Sequence, residues 1–312
     1  MKFATLQLDC YFADVSKNIK KVEIYIRRAR ECGADLVLLP EFFPSAIGFS
    51  PLMNHVALEG SRVREALKKL SSEIGILIGG SYLYFDGTGS HNTFDLVFPN
   101  GSIFSHQKDI PTQFENCYYT TGDTDHILHT PIGEIGVALC WEMMRYDTLK
   151  RLSGKVDIVL AGSCWWDLPI DAPIERESLR QYNQELALDT PVTFARLLHV
   201  PVIHANHCGK VTAYNFPAND KLQTRQFVGA AQIIDADGKV IERKEFYKGE
   251  GIIISEISLN KALRKTADID PKCYWIPDLP DSYMKAWHEI NPIGSAYYGE
   301  HMLQYYHEHY NK

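Results

Sequence analysis

The run GADLVLLPE, residues 33–41, places a helix stop, a buried strand and a carboxylate side by side. Gly33 closes the helix before it, as a glycine past the last periodic residue does. Leu36 to Leu39 is a continuous apolar run between Asp35 and Pro40, which predicts a strand covered on both faces. Upstream, Val15, Ile19, Val22, Ile26 and Ala29 recur at three- and four-residue steps, so residues 15–32 read as an amphipathic helix. Phe3 to Leu8 precedes it as a strand. Downstream, Glu59 to Glu73 reads as a second helix and Ile76 to Tyr82 as the next strand. Strand, helix, strand, helix, strand implies parallel pairing, with the helices packed on a face of an α/β sheet.

Further along, the pattern changes. Asn92 to Phe98 and Ser102 to His106 form a hairpin across Pro99-Asn100-Gly101, and Ile127 to His129 faces Ile135 to Leu139 across Pro131-Ile132-Gly133. A helix is expected over Met143 to Leu152 and a strand over Val156 to Ala161. Glu175 to Ala187 reads as one helix. Thr190-Pro191 reads as the cap and first position of another, ending at Leu198. Strands follow at Val200 to Ala205, Phe227 to Ile234, Val240 to Glu242 and Ile252 to Ile257. No linker-like stretch interrupts residues 1–258, which read as one domain. Residues 259–312 read as an aromatic extension packing on that domain or on a partner subunit.

Composition narrows the function classes. Of 312 residues, 45% are hydrophobic and 23% charged, so intrinsic disorder is excluded for the bulk of the chain. The net charge of −7 lacks the basic face that nucleic acid or an anionic membrane needs. Seven cysteines without CxxC spacing suit a reducing cytoplasm better than a disulfide framework or a zinc ribbon. The opening MKFATLQLDC reads as a strand without a signal core.

Three places are suited to chemistry. Cys140 follows the strand ending at Leu139 and precedes an expected helix, where backbone N–H groups favour a thiolate and hold an oxyanion. Glu41 emerges at the carboxyl end of its strand, the edge where open α/β sheets bind ligands. The apolar FFPSAIGF after it (42–49) raises a carboxylate toward a useful base. In HQKDIPTQFE (106–115), Lys108 and Glu115 lie close around a proline. There the lysine serves as a point charge for an oxyanion, held by the carboxylate.

LLPEFF (38–43), HQKDIPTQFE and VALCWE (137–142), in this order and spacing, resemble the carbon–nitrogen hydrolase, or nitrilase, superfamily. HNTFDLVFPNGSI (91–103), TTGD (120–123) and FVGAAQIIDADGKVI (227–241) extend the likeness over residues 2 to about 258. The resemblance implies a four-layer αββα sandwich of mixed β-sheets with helices on the outer faces, paired into a homodimer or higher oligomer. It implies a triad of Glu41, Lys108 and Cys140, with Glu115 as the further family glutamate and the Trp141 N–H as an oxyanion donor. The loop Gly162-Ser163-Cys164-Trp165-Trp166-Asp167 matches one that faces substrate, so Trp165 and Trp166 are candidate walls of the site. No metal and no cofactor is required.

The function so implied is hydrolysis of a small-molecule, non-peptide carbon–nitrogen bond through a cysteine thioester. Nitrilases proper carry asparagine or histidine after CWE, where this chain has Met143, which favours an amide or carbamoyl substrate over a nitrile. Amidase branches place an acid and an arginine one residue closer to the cysteine than Glu142 and Arg145. The alternatives are a nitrilase and a non-catalytic scaffold. A scaffold has no need of all four polar residues. His307 and His309 in the YYHEHY tail read as surface residues, and Asn206 and His207 as minor candidates for the site wall.

Overall fold

A computed structural model describes residues 1–245, 248–259, 265–267 and 273–310. Its layers follow from the alternation of side chains along each strand. In β1 (Lys2–Asp9), Ala4, Leu6 and Leu8 face one way and Phe3 the other. Ala4, Leu6 and Leu8 meet Val22 and Ile26 of α1 (Val15–Glu31) and Val63 and Leu67 of α2 (Gly60–Ile74). Phe3 joins Leu36 and Leu38 of β2 (Leu36–Leu38) in a second, inner core. The same split recurs in β8 (Ile158–Ser163) and β10 (Val202–Cys208). Ile158, Leu160 and Ile203 point inward, while Val159, Ala161 and Val202 point to an outer helical layer. That layer is Leu149 and Leu152 of α3 (Tyr146–Leu152) with Phe194 and Leu198 of α4 (Glu177–Leu198). Two sheet halves packed face to face, each with helices outside, form the αββα sandwich.

The first half runs β5-β4-β3-β2-β1, with β3 (Leu77–Phe85), β4 (Ser90–Val97) and β5 (Ile103–Gln107) antiparallel to one another and β1, β2 and β3 parallel. The second half runs β10-β8-β7-β6, with β6 (Ile127–Thr130) and β7 (Gly133–Leu139) as its hairpin. A short parallel ladder, Gln7 to Asp9 against Asn206 to Cys208, joins the halves. The hairpin β13 (Ala231–Ile234) and β14 (Val240–Lys244) pairs with β10, and β15 (Gly251–Glu256) pairs with β1.

Several local expectations are overturned. No single helix covers Met143 to Leu152. A five-residue 3-10 turn spans Cys140–Met144, Arg145 is extended (φ −101°, ψ 134°), and α3 starts at Tyr146. Arg145 leaves the helical path to reach the Asp109 carboxylate. The two helices expected around Thr190-Pro191 are one, α4, with Pro191 inside it. An interior proline costs about 3 kcal/mol. Here the Thr190 hydroxyl bonds the Leu186 carbonyl at 2.6 Å, and the burial of Phe194, Ala195 and Leu198 offsets the loss. The strand expected from Phe227 to Ile234 breaks at Gly229 and Ala230, both at positive φ. Phe227 ends β12 (Leu222–Phe227), which with β9 (Trp166–Pro169) and β11 (Lys210–Tyr214) forms a separate small sheet.

After residue 280 the chain forms α5 (Asp281–Tyr297), a π turn over Tyr298–Met302, and α6 (Leu303–His309). These pack on the body: Tyr306 is fully buried and its hydroxyl donates to the Tyr118 carbonyl at 3.2 Å. None of the described helices is long and apolar enough to cross a membrane.

Candidate active site

β2 ends at Leu38, and Glu41 lies three residues beyond it with no exposed surface. The close approach is made possible by Gly162 on β8, where a Cβ would lie 2.9 Å from the Glu41 backbone nitrogen. Glu41 Oε1 accepts from Lys108 Nζ at 2.9 Å and from Asn92 Nδ2 at 2.9 Å. Its Oε2 accepts from the Cys164 N–H at 3.0 Å, and His207 Nε2 donates to its backbone carbonyl at 2.7 Å. Burial pushes the Glu41 carboxyl up to about 7, Lys108 opposing and Glu115 adding to the rise.

Lys108 follows β5 and is fully buried. Its ammonium also donates to Glu115 Oε2 at 2.8 Å. Burial disfavours that charge, but Glu115 and Glu41 outweigh it and hold the ammonium well above its ordinary value. Glu115 sits on a 3-10 turn, Gln113–Cys117. Its Oε2 also accepts from the Thr112 N–H at 3.0 Å and from the Tyr119 hydroxyl. The turn is fastened from the far end of the chain, because the Gln113 N–H, at φ 54°, donates to Asn291 Oδ1 on α5 at 2.7 Å.

Cys140 occupies the corner between β7 and the following 3-10 turn at φ 52°. A non-glycine residue held at positive φ is strained, and such strain gathers at functional sites. Cys140 lines a cavity of about 70 Å³ with Thr112, Gln113, Phe114, Glu115, Trp141 and Cys164, and Trp165 and Trp166 complete its wall. The surroundings oppose the thiolate expected on sequence. Burial and then Glu41 push the Cys140 thiol well above its usual range, against the pull of Lys108. The turn after it is too short to supply the helix end that would favour the anion.

Glu142 ties the loop of Cys140 to the loop of Lys108. Its carboxylate accepts from the Leu139 N–H at 2.7 Å, just before Cys140, and from the Asp109 N–H at 2.8 Å, just after Lys108. His106 Nε2 approaches the same group at 3.1 Å.

The structure thus brings Glu41, Lys108, Glu115 and Cys140 to one buried place, with Trp141, Trp165 and Trp166 around it. Asn206 and His207 stand behind the site rather than in its wall: Asn206 Oδ1 accepts from the Trp165 N–H at 3.3 Å. Asn92, Tyr119 and Asn291 were not singled out on sequence. An inward asparagine in the strand HNTFDLVF was the one available sign of the first.

An αββα sandwich with a buried cysteine at a strand-end corner defines the nitrilase-like class of α/β proteins. The chain belongs to the carbon–nitrogen hydrolase family, whose sequence model matches residues 2–264. It is 22% identical over 281 residues to N-carbamoylputrescine amidase of Arabidopsis thaliana, covering 82% of this chain and 86% of the relative. It is 24% identical over 261 residues to 2-oxoglutaramate amidase of Bacillus subtilis, covering 82% and 90%. The crystal structure of a carbon–nitrogen hydrolase from Helicobacter pylori G27 superposes with a TM-score of 0.72 at 18% identity, over 83% of this chain and 89% of that one.

Proposed function

We propose that this protein hydrolyses the carbon–nitrogen bond of small amides or carbamoyl compounds, with Cys140 as nucleophile. The observation that carries this reading is the Lys108 ammonium, buried and bridging Glu41 and Glu115, beside the cavity that Cys140 lines. Ionised Glu41 takes the thiol proton as sulfur bonds to the carbonyl carbon. Lys108 Nζ and the Trp141 N–H steady the resulting oxyanion. Glu41 then gives its proton to the leaving nitrogen, the C–N bond breaks, and a thioester remains. Water attacks the thioester carbon and loses a proton to Glu41. The acid departs, and that proton returns to the sulfur. Glu115 holds the ammonium in place. The two amidase relatives support an amide or carbamoyl substrate over a nitrile.

The domain is read as residues 1–258, with 259–312 as an extension packing on that domain or on a partner subunit. The contact between Gln113 and Asn291 supports that role. The protein is further read as a cytoplasmic homodimer acting on a small molecule, without nucleic acid, membrane or cofactor. The test is ammonia release from a panel of amides, carbamoyl compounds and nitriles, with intact-mass detection of the acyl adduct. Turnover of amides and an adduct that Cys140→Ala abolishes are expected. Release from nitriles alone, or an adduct that survives the substitution, would overturn the reading.

A further inference from the structure

Beside the catalytic cavity lies a larger one of about 280 Å³ with different chemistry. Gln113, Phe114 and Trp166 line both. Phe114 and Trp166 are stacked with ring centroids 4.2 Å apart, forming the wall the two share. Arg225 and Arg176 line the larger cavity, and among the described residues no carboxylate does. Arg225, on β12, is half-buried. Its guanidinium lies 5.8 Å from the Trp166 ring centroid and donates to the neutral Gln223 Oε1 at 3.0 Å. Asp167, the acid nearest in charge, is engaged elsewhere. It pairs with Arg180 at 3.2 Å and accepts from Gln184 Nε2 at 2.7 Å. The indole N–H of Trp166 is buried with no acceptor.

Arg225 is half-buried and Arg176 exposed, and the acid whose charge reaches Arg225, Asp167, is already paired with Arg180, so beside the orphaned indole donor the cavity is rich in donors. Burial and then Arg176 pull the Arg225 pKa below its ordinary value. All of these groups are donors, so the missing partner is an anionic acceptor. A planar guanidinium fork matches a planar carboxylate in two parallel bonds.

We propose that this cavity receives a carboxylate of the substrate, anchored by Arg225, so that the enzyme acts on amides carrying a carboxylate at the end remote from the scissile bond. The assignment rests on hydrolysis at Cys140. The catalytic cavity, at about 70 Å³, is the smaller of the two and shares Gln113, Phe114 and Trp166 with its neighbour of about 280 Å³, which is where a substrate longer than a simple amide would extend. The rest of the substrate then lies past the Phe114–Trp166 wall. A substrate with an ammonium at that end would meet two like charges.

The test compares succinamate and glutaramate, each against its methyl ester, in the wild type, Arg225→Met and Arg225→Lys. The expected wild-type ratio of kcat/KM favours a free acid by at least about tenfold, or 1.4 kcal/mol. Arg225→Met collapses that ratio, chiefly through KM, and Arg225→Lys restores part of it. Succinate and glutarate binding to Cys140→Ala by calorimetry gives an independent readout, which adding Arg225→Met weakens by a similar factor. An acid-to-ester ratio that Arg225→Met leaves unchanged overturns the proposal, as does acid binding indifferent to Arg225. If no amide is turned over but acid binding to Cys140→Ala still requires Arg225, the hydrolytic reading fails and the anion site stands.

Discussion

At Glu41, burial favours the neutral acid and Lys108 favours the carboxylate. Burial prevails, and the group titrates near 7. Only the ionised form can take the proton of Cys140, so kcat/KM is expected to rise with pH through about 7. The stability consequence has the opposite sign. Because the folded value lies above the free one, Glu41 contributes fully at low pH, and that contribution is lost as pH rises through about 7. A pH–rate profile flat across neutrality would remove Glu41 as the base. Cys140→Ala, Glu41→Gln and Lys108→Ala should each cost at least about a thousandfold in kcat while circular dichroism stays native. Glu115→Gln, which removes a charge but keeps the size, should cost about a hundredfold through misplacement of the ammonium. The raised Cys140 thiol makes a further difference. Iodoacetamide at pH 7 should mark the exposed Cys32 and Cys273 before Cys140, read by peptide mass spectrometry. Prior labelling of Cys140 would show that the resting site holds a thiolate. The grouping of these four residues was legible because Glu41 and Cys140 each follow an apolar run and Lys108 and Glu115 share one motif. The upward push on the Cys140 thiol was not, since it depends on how far three distant loops exclude water.

The loop that carries Glu115 depends on a helix that follows it by most of the chain. Gln113 adopts a left-handed backbone, and its N–H is satisfied by Asn291 of α5. Ser295 Oγ adds a bond to Asn116 Oδ1 at 3.1 Å, and a Cβ at Gly294 would come within 2.7 Å of the Asn116 Cβ. Asn291→Ala should therefore lower kcat about tenfold or more, while the loss of one hydrogen bond costs only about 1 kcal/mol of stability. Steady-state rates beside a thermal melt decide this, and an unchanged kcat would make the contact purely structural. The elements of the sandwich were readable because their periodicities are local. Pro191 misled because a proline after threonine reads as a helix start, and only the core behind Phe194 and Leu198 keeps α4 continuous. Phe227 misled similarly: the apolar run continues through Gly229 and Ala230, but positive φ at both sends the chain from one sheet to another.

Across the molecule, the inner core binds the two sheet halves, and the proposed catalytic residues lie at the ends of strands from both. Glu41 and Lys108 come from the first half, Cys140 from the second. Any slip between the layers would part Glu41 from Cys140. On or beside the small three-stranded sheet, Ile170, Ile174, Tyr214 and Leu222 are exposed, and they are the candidate contacts of the proposed dimer. Light scattering at micromolar concentration should return at least twice 35.5 kDa. A mass near that single value throughout would exclude the dimer. The clasp between Gln113 and Asn291 also gives synthesis an order. A ribosome delivers the sandwich strands well before the helix that bears Asn291, and domains fold from the N-terminal side as they emerge. Nascent chains arrested short of residue 281 would hold the cysteine and its charged neighbours in place without the fastening on their loop. Ammonia release should begin only once residues 281–297 have cleared the exit tunnel, so that competence arrives late in translation, and full activity from the shorter arrested chains would refute that timing.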